Sequence, residues 1–269
     1  MKTGFRALLV SAFLVATGPG ADAHAEDTKI RIVTQSFAPL QWQNEGAPDG
    51  FVTDYMLAVI ERVQEKSSVS LESYDFLPWK QAMKAARTDP NVLFFSLSRT
   101  RDREDKFQWL GEVSPYGQYF FQLQSRERIE ADSIEALRDL DIRIGVQDGS
   151  NLHTYLKGFG FSSQSNLVLL DDYRKGTDLL FQGEIDLLPL TGFLAQASVC
   201  KQGYDGGQLA KVLFVEDLAR PLWAVFSQKT DPMLVEAFKK EMVALKQNGF
   251  WETKINEHLK NWEKLTCGK

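Results

Sequence analysis

Histidine and cysteine are scarce in this chain, with three and two residues among 269. Neither type recurs at a metal-ligand spacing, so nothing is present from which to build an imidazole or thiolate metal centre, and no cofactor is implied. A surplus of basic residues is missing as well. The 31 Lys and Arg face 36 Asp and Glu, a formal net charge of −5. Without cationic excess the chain has little with which to displace counterions from phosphates, and nucleic acid is not an expected partner. Long apolar runs are also lacking. The one near the start, Ala7 to Ala16, is about half of the roughly 20 residues that span a bilayer.

That short run does fit an export signal. Lys2 and Arg6 precede it, and Ala23-His24-Ala25 follows as a small-x-small cleavage site, the three-part pattern of a secretory leader over residues 1–25. Cleavage near Ala25 leaves an exported chain, and no cysteine stands near that point to carry a lipid. In an oxidising compartment Cys200 and Cys267 are expected to form a disulfide, with two unpaired thiols as the alternative. A hydrophobic content of 43% suffices for one large core or two smaller ones.

From Lys29 onward strand-like and helix-like runs alternate. Ile30 to Val33 reads as a strand, and Met56, Val59, Ile60 and Val63 make one face of a helix beginning near Thr53 or Asp54. Val69 to Tyr74 is a strand, Pro78 suits the first turn of a helix burying Trp79, Ala82, Met83 and Ala86, and Val92 to Phe95 is a buried strand. A second set follows Pro115. It comprises a helix capped by Ser133, strand Ile142 to Val146, a helix opened by Gly149-Ser150-Asn151, strand Leu167 to Leu170, a helix ending at Gly183, and strand Ile185 to Leu190. Two amphipathic helices close the chain, one begun by Asp231-Pro232 and stopped by Gly249, the other carrying Trp251, Ile255, Leu259 and Trp262. Repeated strand-helix-strand order implies mainly parallel sheets with right-handed crossovers. Terminal helices after a second set make sense if the chain crosses to a second lobe and returns. Tyr119 to Gln124 and Leu222 to Phe226 are then the crossing strands of a hinge, with a closable cleft between the lobes.

Chemistry concentrates where the strand Val92 to Phe95 ends. Ser96, Ser98 and Arg103 follow it, at the edge where small ligands sit in open α/β sheets; hydroxyls offer hydrogen bonds and a guanidinium matches a carboxylate. Taken alone, the same segment is an exposed charged loop. Backbone amides at Gly149-Ser150-Asn151 form a second anion-friendly feature at a helix start.

Five motifs in order resemble those of the bacterial extracellular solute-binding proteins of family 3, which have the type 2 periplasmic binding fold. They are Phe37-Ala38-Pro39, Gly50-Phe51 with Asp54, Ser98-x-Thr100-x-x-Arg103, Gly145-Val146-Gln147-x-Gly149-Ser150, and Gly183-x-x-Asp186. The likeness runs from about Lys29 to Trp262, in the wording of a divergent branch. It implies an α/β, two-lobed periplasmic protein, each lobe a mainly parallel sheet flanked by helices. Lobe 1 comprises 26–117 and 222–269, lobe 2 comprises 118–221, and the protein is a monomer. By the same resemblance Phe37 packs on a ligand, Trp79 lines the opposite wall, Ser96 and Ser98 donate hydrogen bonds, Arg103 clamps a carboxylate, and Ser150 and Asn151 add contacts from lobe 2. The family's anchor for an α-ammonium is an acid five residues after the Gly-x-x-Asp aspartate; here that position is Thr191. A hydroxyl does not balance a buried ammonium, so an acid lacking the amino group, or a ligand held elsewhere in the cleft, fits better than an ordinary amino acid; the alternative for Thr191 is a plain strand-end residue.

The leading expectation is therefore a protein that closes on a small carboxylate-bearing solute and presents it to a membrane transporter or sensor. An accessory protein that has lost its solute is a second reading, and it requires a cleft blocked by bulky side chains and an apolar exposed patch. A cyclohexadienyl-dehydratase-like enzyme is a third, and it requires a general acid in the cleft.

Overall fold

The computed structural model describes residues 27–263 and Cys267; the leader expected over residues 1–25 lies outside them. Elements follow the order β1 (Thr28–Thr34), a hairpin of β2 (Trp42–Asn44) and β3 (Ala47–Asp49), α1 (Phe51–Gln64), β4 (Val69–Phe76), α2 (Trp79–Thr88), β5 (Val92–Ser98) and β6 (Phe107–Ser114). Next come β7 (Gln118–Leu123), α3 (Ile134–Arg138), β8 (Ile144–Gln147), α4 (Asn151–Gly158), β9 (Leu167–Leu170), α5 (Tyr173–Gln182), β10 (Leu188–Thr191), α6 (Ala195–Cys200) and β11 (Leu209–Phe214). The chain returns through β12 (Leu222–Ser227) to α7 (Pro232–Gln247) and α8 (Phe250–Glu263).

Strands β4-β1-β5-β12-β6 form one sheet, and β10-β7-β11 with the separate β8-β9 pair form another group. The sheets are more mixed than the strand-helix-strand order suggested. β1 runs parallel to β4 and β5, whereas β12 runs antiparallel to β5 and β6. β7 is antiparallel to both of its partners, and only β8-β9 is parallel in the second group. The reason is connectivity: β6 and β12 are joined to their neighbours by loops or by the excursion through the other lobe, and neither enters through a helical crossover. Each of the two strands expected to cross, β7 and β12, lies wholly within one sheet; the chain passes between the groups at 115–117 and 219–221.

Two cores match the two groups. In the first, Phe51, Tyr55, Met56 and Val59 of α1 pack with Phe226 of β12 and with Phe238 and Met242 of α7, all buried. In the second, Phe120, Leu137, Val146, Leu152 and Leu187 form a separate cluster. Helix α1 begins at Phe51, two residues before the expected cap, because Gly50 at φ 115° turns the chain against Leu40; a Cβ there would lie 2.2 Å from the Leu40 carbonyl oxygen. Ser133, Ser150 and Asp231 cap their helices as read from the sequence, accepting from Ala136, His153 and Met233 amides. Helix α6, absent from the sequence reading, puts Leu194 and Ala197 against the first core although it belongs to the second group. Cys200 at its end is bridged to Cys267, with Cα atoms 5.3 Å apart. The disulfide therefore ties the tail to a helix already seated on the first core.

Candidate functional site

The cleft between the two groups starts at the end of β5. Leu97 pairs with Trp223 and Phe94 with Val225, so β5 holds one residue more than β12 over this interval. Ser96 absorbs the bulge at φ 61°, a left-handed conformation uncommon for residues other than glycine and frequent where a side chain must be re-aimed. The bulge turns Ser96 to the cleft floor, where its hydroxyl donates to Gln41 Oε1 at 2.8 Å. Its proton is thus committed inside the protein, unlike the ligand-donating role the resemblance implied.

Arg103 follows in a turn that hydrogen-bonds its amide to the Thr100 carbonyl. The side chain is 8% exposed. It donates to the Ser98 carbonyl at 3.2 Å and lies over the Trp79 ring at 5.6 Å. Among the described residues it has no ion pair within 4.0 Å: Asp102 accepts from Thr100 Oγ1, and Glu104 pairs with Arg99. Burial pulls the Arg103 guanidinium below its ordinary pKa, Asp102 opposing this and Arg87 adding to it. A buried cation with one neutral acceptor is an electrostatically unfinished group.

The second lobe supplies the opposite wall. Gly149, at φ 73°, leads into α4, and Ser150 and Asn151 stand at its first turn. Contacts close the cleft directly. Trp79 Nε1 donates to the Gly149 carbonyl at 3.3 Å, Lys80 pairs with Asp148, and Gln147 Nε2 donates to Gln35 Oε1 at 2.7 Å in a buried bond. Phe37 stacks on Tyr173, with centroids 5.7 Å apart and planes 7° from parallel, and meets the edge of Tyr116 at 6.3 Å. Gln118 Nε2 donates to the Tyr173 hydroxyl at 3.5 Å, and burial raises both Tyr116 and Tyr173 above the usual phenol pKa.

Seven of the eight expected ligand residues line one central cavity: Phe37, Trp79, Ser96, Ser98, Arg103, Ser150 and Asn151. In this closed arrangement it leaves ≈ 30 Å³ for the centres of water molecules, room for about two or three. Thr191 is not among them. It ends β10, paired with Gln118, and lines a neighbouring cavity of ≈ 150 Å³. Phe37, Gln118 and Tyr173 line both cavities and form the partition. Neither wall contains an Asp or Glu among the described residues. Sequence reasoning missed Gln35, Tyr116, Gln118, Gln147 and Tyr173. Gln147 sat within a quoted motif; the others carry no pattern beyond a polar or aromatic residue at an element end.

No protein-family model matches the chain, and no curated protein does. Solved structures do. An ancestral arginine-binding protein bound to arginine aligns with TM-score 0.72 at 18% identity, covering 85% of this chain and 97% of that one. An amino acid ABC transporter substrate-binding protein from Streptococcus pneumoniae bound to L-arginine gives 0.71 at 19%, covering 87% and 95%. A histidine kinase sensor domain with similarity to periplasmic binding proteins gives 0.71 at 16%, covering 86% of this chain and 96% of that one. The chain has the two-lobed type 2 periplasmic binding fold.

Proposed function

We propose that the chain is an exported periplasmic solute-binding protein. Its lobes, 26–117 with 222–269 and 118–221, close on a small carboxylate-bearing ligand and present it to a membrane transporter or sensor. The observation that carries this is Arg103: buried, free of any ion pair among the described residues, and facing a cavity shared with Ser98, Ser150 and Asn151. A carboxylate on its planar fork completes the group with charge-assisted hydrogen bonds. Three structural neighbours, two of them bound to arginine and one a sensor domain, support a binding role on this scaffold. The walls of these two cavities hold no carboxylate to balance an ammonium, which favours an acid without an α-amino group; Asp171 and Asp172 line a neighbouring cavity beside Gln35 and Trp79, where Asp172 pairs with Arg174.

One observation favours the accessory-protein reading. The Phe37–Tyr173 stack and the Gln35–Gln147 bond fill the cleft with the protein's own side chains. A thermal-shift screen of residues 26–269, refolded to strip carried-over ligand, separates the two. The panel holds keto, hydroxy and aromatic acids, amino acids and polyamines. Solute binding predicts that an acid raises the melting temperature, and that Arg103→Ala folds normally but loses the shift. A flat panel with well-folded protein transfers the case to the accessory role; an unchanged shift in the variant removes Arg103 as the clamp.

A further inference from the structure

The outer face of α2 borders a groove that the cleft reading does not use. Lys80, Lys84 and Arg87 stand at i, i+4 and i+7, one face of the helix, turned away from the face that buries Trp79, Ala82 and Ala86. A rise of about 1.5 Å per residue spreads the three over roughly 10 Å. Lys106 and Arg103, on the turn between β5 and β6, line the same groove; Met83 and Phe107 give it apolar lining, and Gly149 reaches it from lobe 2. It offers ≈ 510 Å³ to the centres of water molecules, against ≈ 30 Å³ in the central cavity.

In a chain of net charge −5, five cations line this groove and only one acid, Asp102. Asp102 is already engaged, its Oδ1 accepting from Thr100 Oγ1 at 2.6 Å. Helix α2 contains no acidic residue, so the spacings of Lys80, Lys84 and Arg87 set like charges side by side, an unfavourable arrangement. Lys80 pairs with Asp148, and Lys106 donates to the Asp102 carbonyl. Among the described residues Lys84 and Arg87 have no ion pair within 4.0 Å. Lys229 adds a sixth cation nearby, donating to the Thr88 carbonyl at 2.6 Å. A concave site lined by one sign of charge gathers counter-ions, and its shape decides their size. Lys84 and Arg87 are exposed, but Lys106 is half-buried and Arg103 buried. A flat acidic protein surface meets the first two and not the others, whereas a small anion enters among all of them. Cations spread over roughly 10 Å along α2 ask for more than one anionic group. We propose that this groove binds a compact polyanion, a small molecule with two or more phosphate or carboxylate groups, held by Lys84, Arg87 and Lys106. It is a site apart from the central cavity, sharing with it only Trp79 and Arg103.

Isothermal titration of the refolded chain with tripolyphosphate and with citrate, in about 0.15 M salt to screen diffuse attraction, tests this and tells phosphate from carboxylate recognition. The expected result is one saturable site per chain for at least one probe, weakened about tenfold or more in the double variant Lys84→Gln, Arg87→Gln. Both positions are exposed, so the variant folds normally. A second double variant, Lys239→Gln with Lys240→Gln, removes the same charge from α7, which packs on the opposite face of the first sheet, and should leave the affinity unchanged. Three results overturn the inference: no saturable heat with either probe, equal affinity in the wild type and the groove variant, or equal losses in both double variants, which would reflect net charge alone. The monocarboxylic acid selected by thermal shift reports separately on the cleft. Loss of the groove with a retained acid shift leaves the proposed function standing, and saturable polyanion binding with a flat acid panel leaves the groove standing.

Discussion

The two halves of the cleft differ in kind. On one side stands a buried guanidinium with a single neutral acceptor, beside hydroxyls and helix-start amides. On the other, Thr177, Thr191 and Gln202 each keep a buried oxygen without a partner, and Arg174 and Lys201 stand in the lining. Neither half has a carboxylate in its walls; only the second also keeps orphaned hydrogen-bonding groups. In an amino-acid site both halves would be charged, with opposite signs. Here the second sign is missing, and the Phe37–Tyr173 stack separates what would otherwise be one site. The lesson is that a shared scaffold fixes where a ligand can sit, and the charge inventory decides which ligand it is.

The comparison can be broken most strongly at the disulfide, which anchors the end of α6 and is not among the walls of the Arg103 cavity. Replacing Cys200 and Cys267 by serine opens a bridge with a sequence separation of 67, and loop-closure entropy for that length makes the expected loss about 4 kcal/mol, read by denaturant titration. Acid binding at Arg103 should survive this loss of stability. Next in size is Arg103→Lys, which keeps the charge but loses the planar fork. Affinity for the acid identified by screening should fall about tenfold, near 1.4 kcal/mol by calorimetry. In the second cavity the sign reverses. Thr177→Val removes a buried hydroxyl that nothing satisfies, so it should stabilise the protein by about 1 kcal/mol and raise the melting temperature by about 2–4 °C.

The smallest effect is expected at the rim, where Lys80 of lobe 1 meets Asp148 of lobe 2. The hydrogen bond from Lys80 holds the Asp148 carboxyl below the usual carboxylate range; burial opposes it as the next largest effect, and the Lys80 charge, His153 and the Gly149 amide add smaller effects in the lowering direction. A carboxyl lowered by folding contributes fully above its unfolded pKa and loses that contribution as pH falls through the folded one. The melting-temperature difference between the wild type and Asp148→Asn should therefore be constant at neutral pH and shrink on acidification below about pH 4. A difference that instead shrinks toward alkaline pH would remove the latch from the account.

Much of the fold was legible in the sequence because local signals and burial agreed. Met56, Val59, Ile60 and Val63 lie on the buried face of α1, and Asp231 caps α7 as its Asp-Pro start suggests. What escaped were elements fixed by tertiary contact. Helix α6 is six residues long and owes its place to Leu194 packing across the cleft. Strand β6 lacks a crossover helix to announce it, and the bulge at Ser96 is a property of register against β12, which no local pattern encodes. At the site, motif residues placed Arg103, Trp79 and Ser150 together. The partition did not show in any motif, because Phe37 and Tyr173 are 136 positions apart in the chain and their stacking is set by how the lobes meet. Thr191 was noticed for the charge it lacks; its unsatisfied hydroxyl became visible only once its surroundings were known.

The central claim, that Arg103 is completed by a ligand carboxylate, is tested most directly by a crystal structure of the refolded chain with the acid giving the largest thermal shift. The account predicts the carboxylate on the Arg103 guanidinium, between Ser98 and the α4 start at Ser150. It is contradicted if the acid lies elsewhere, for instance against Lys201 in the neighbouring cavity, with Arg103 still bonded only to the Ser98 carbonyl.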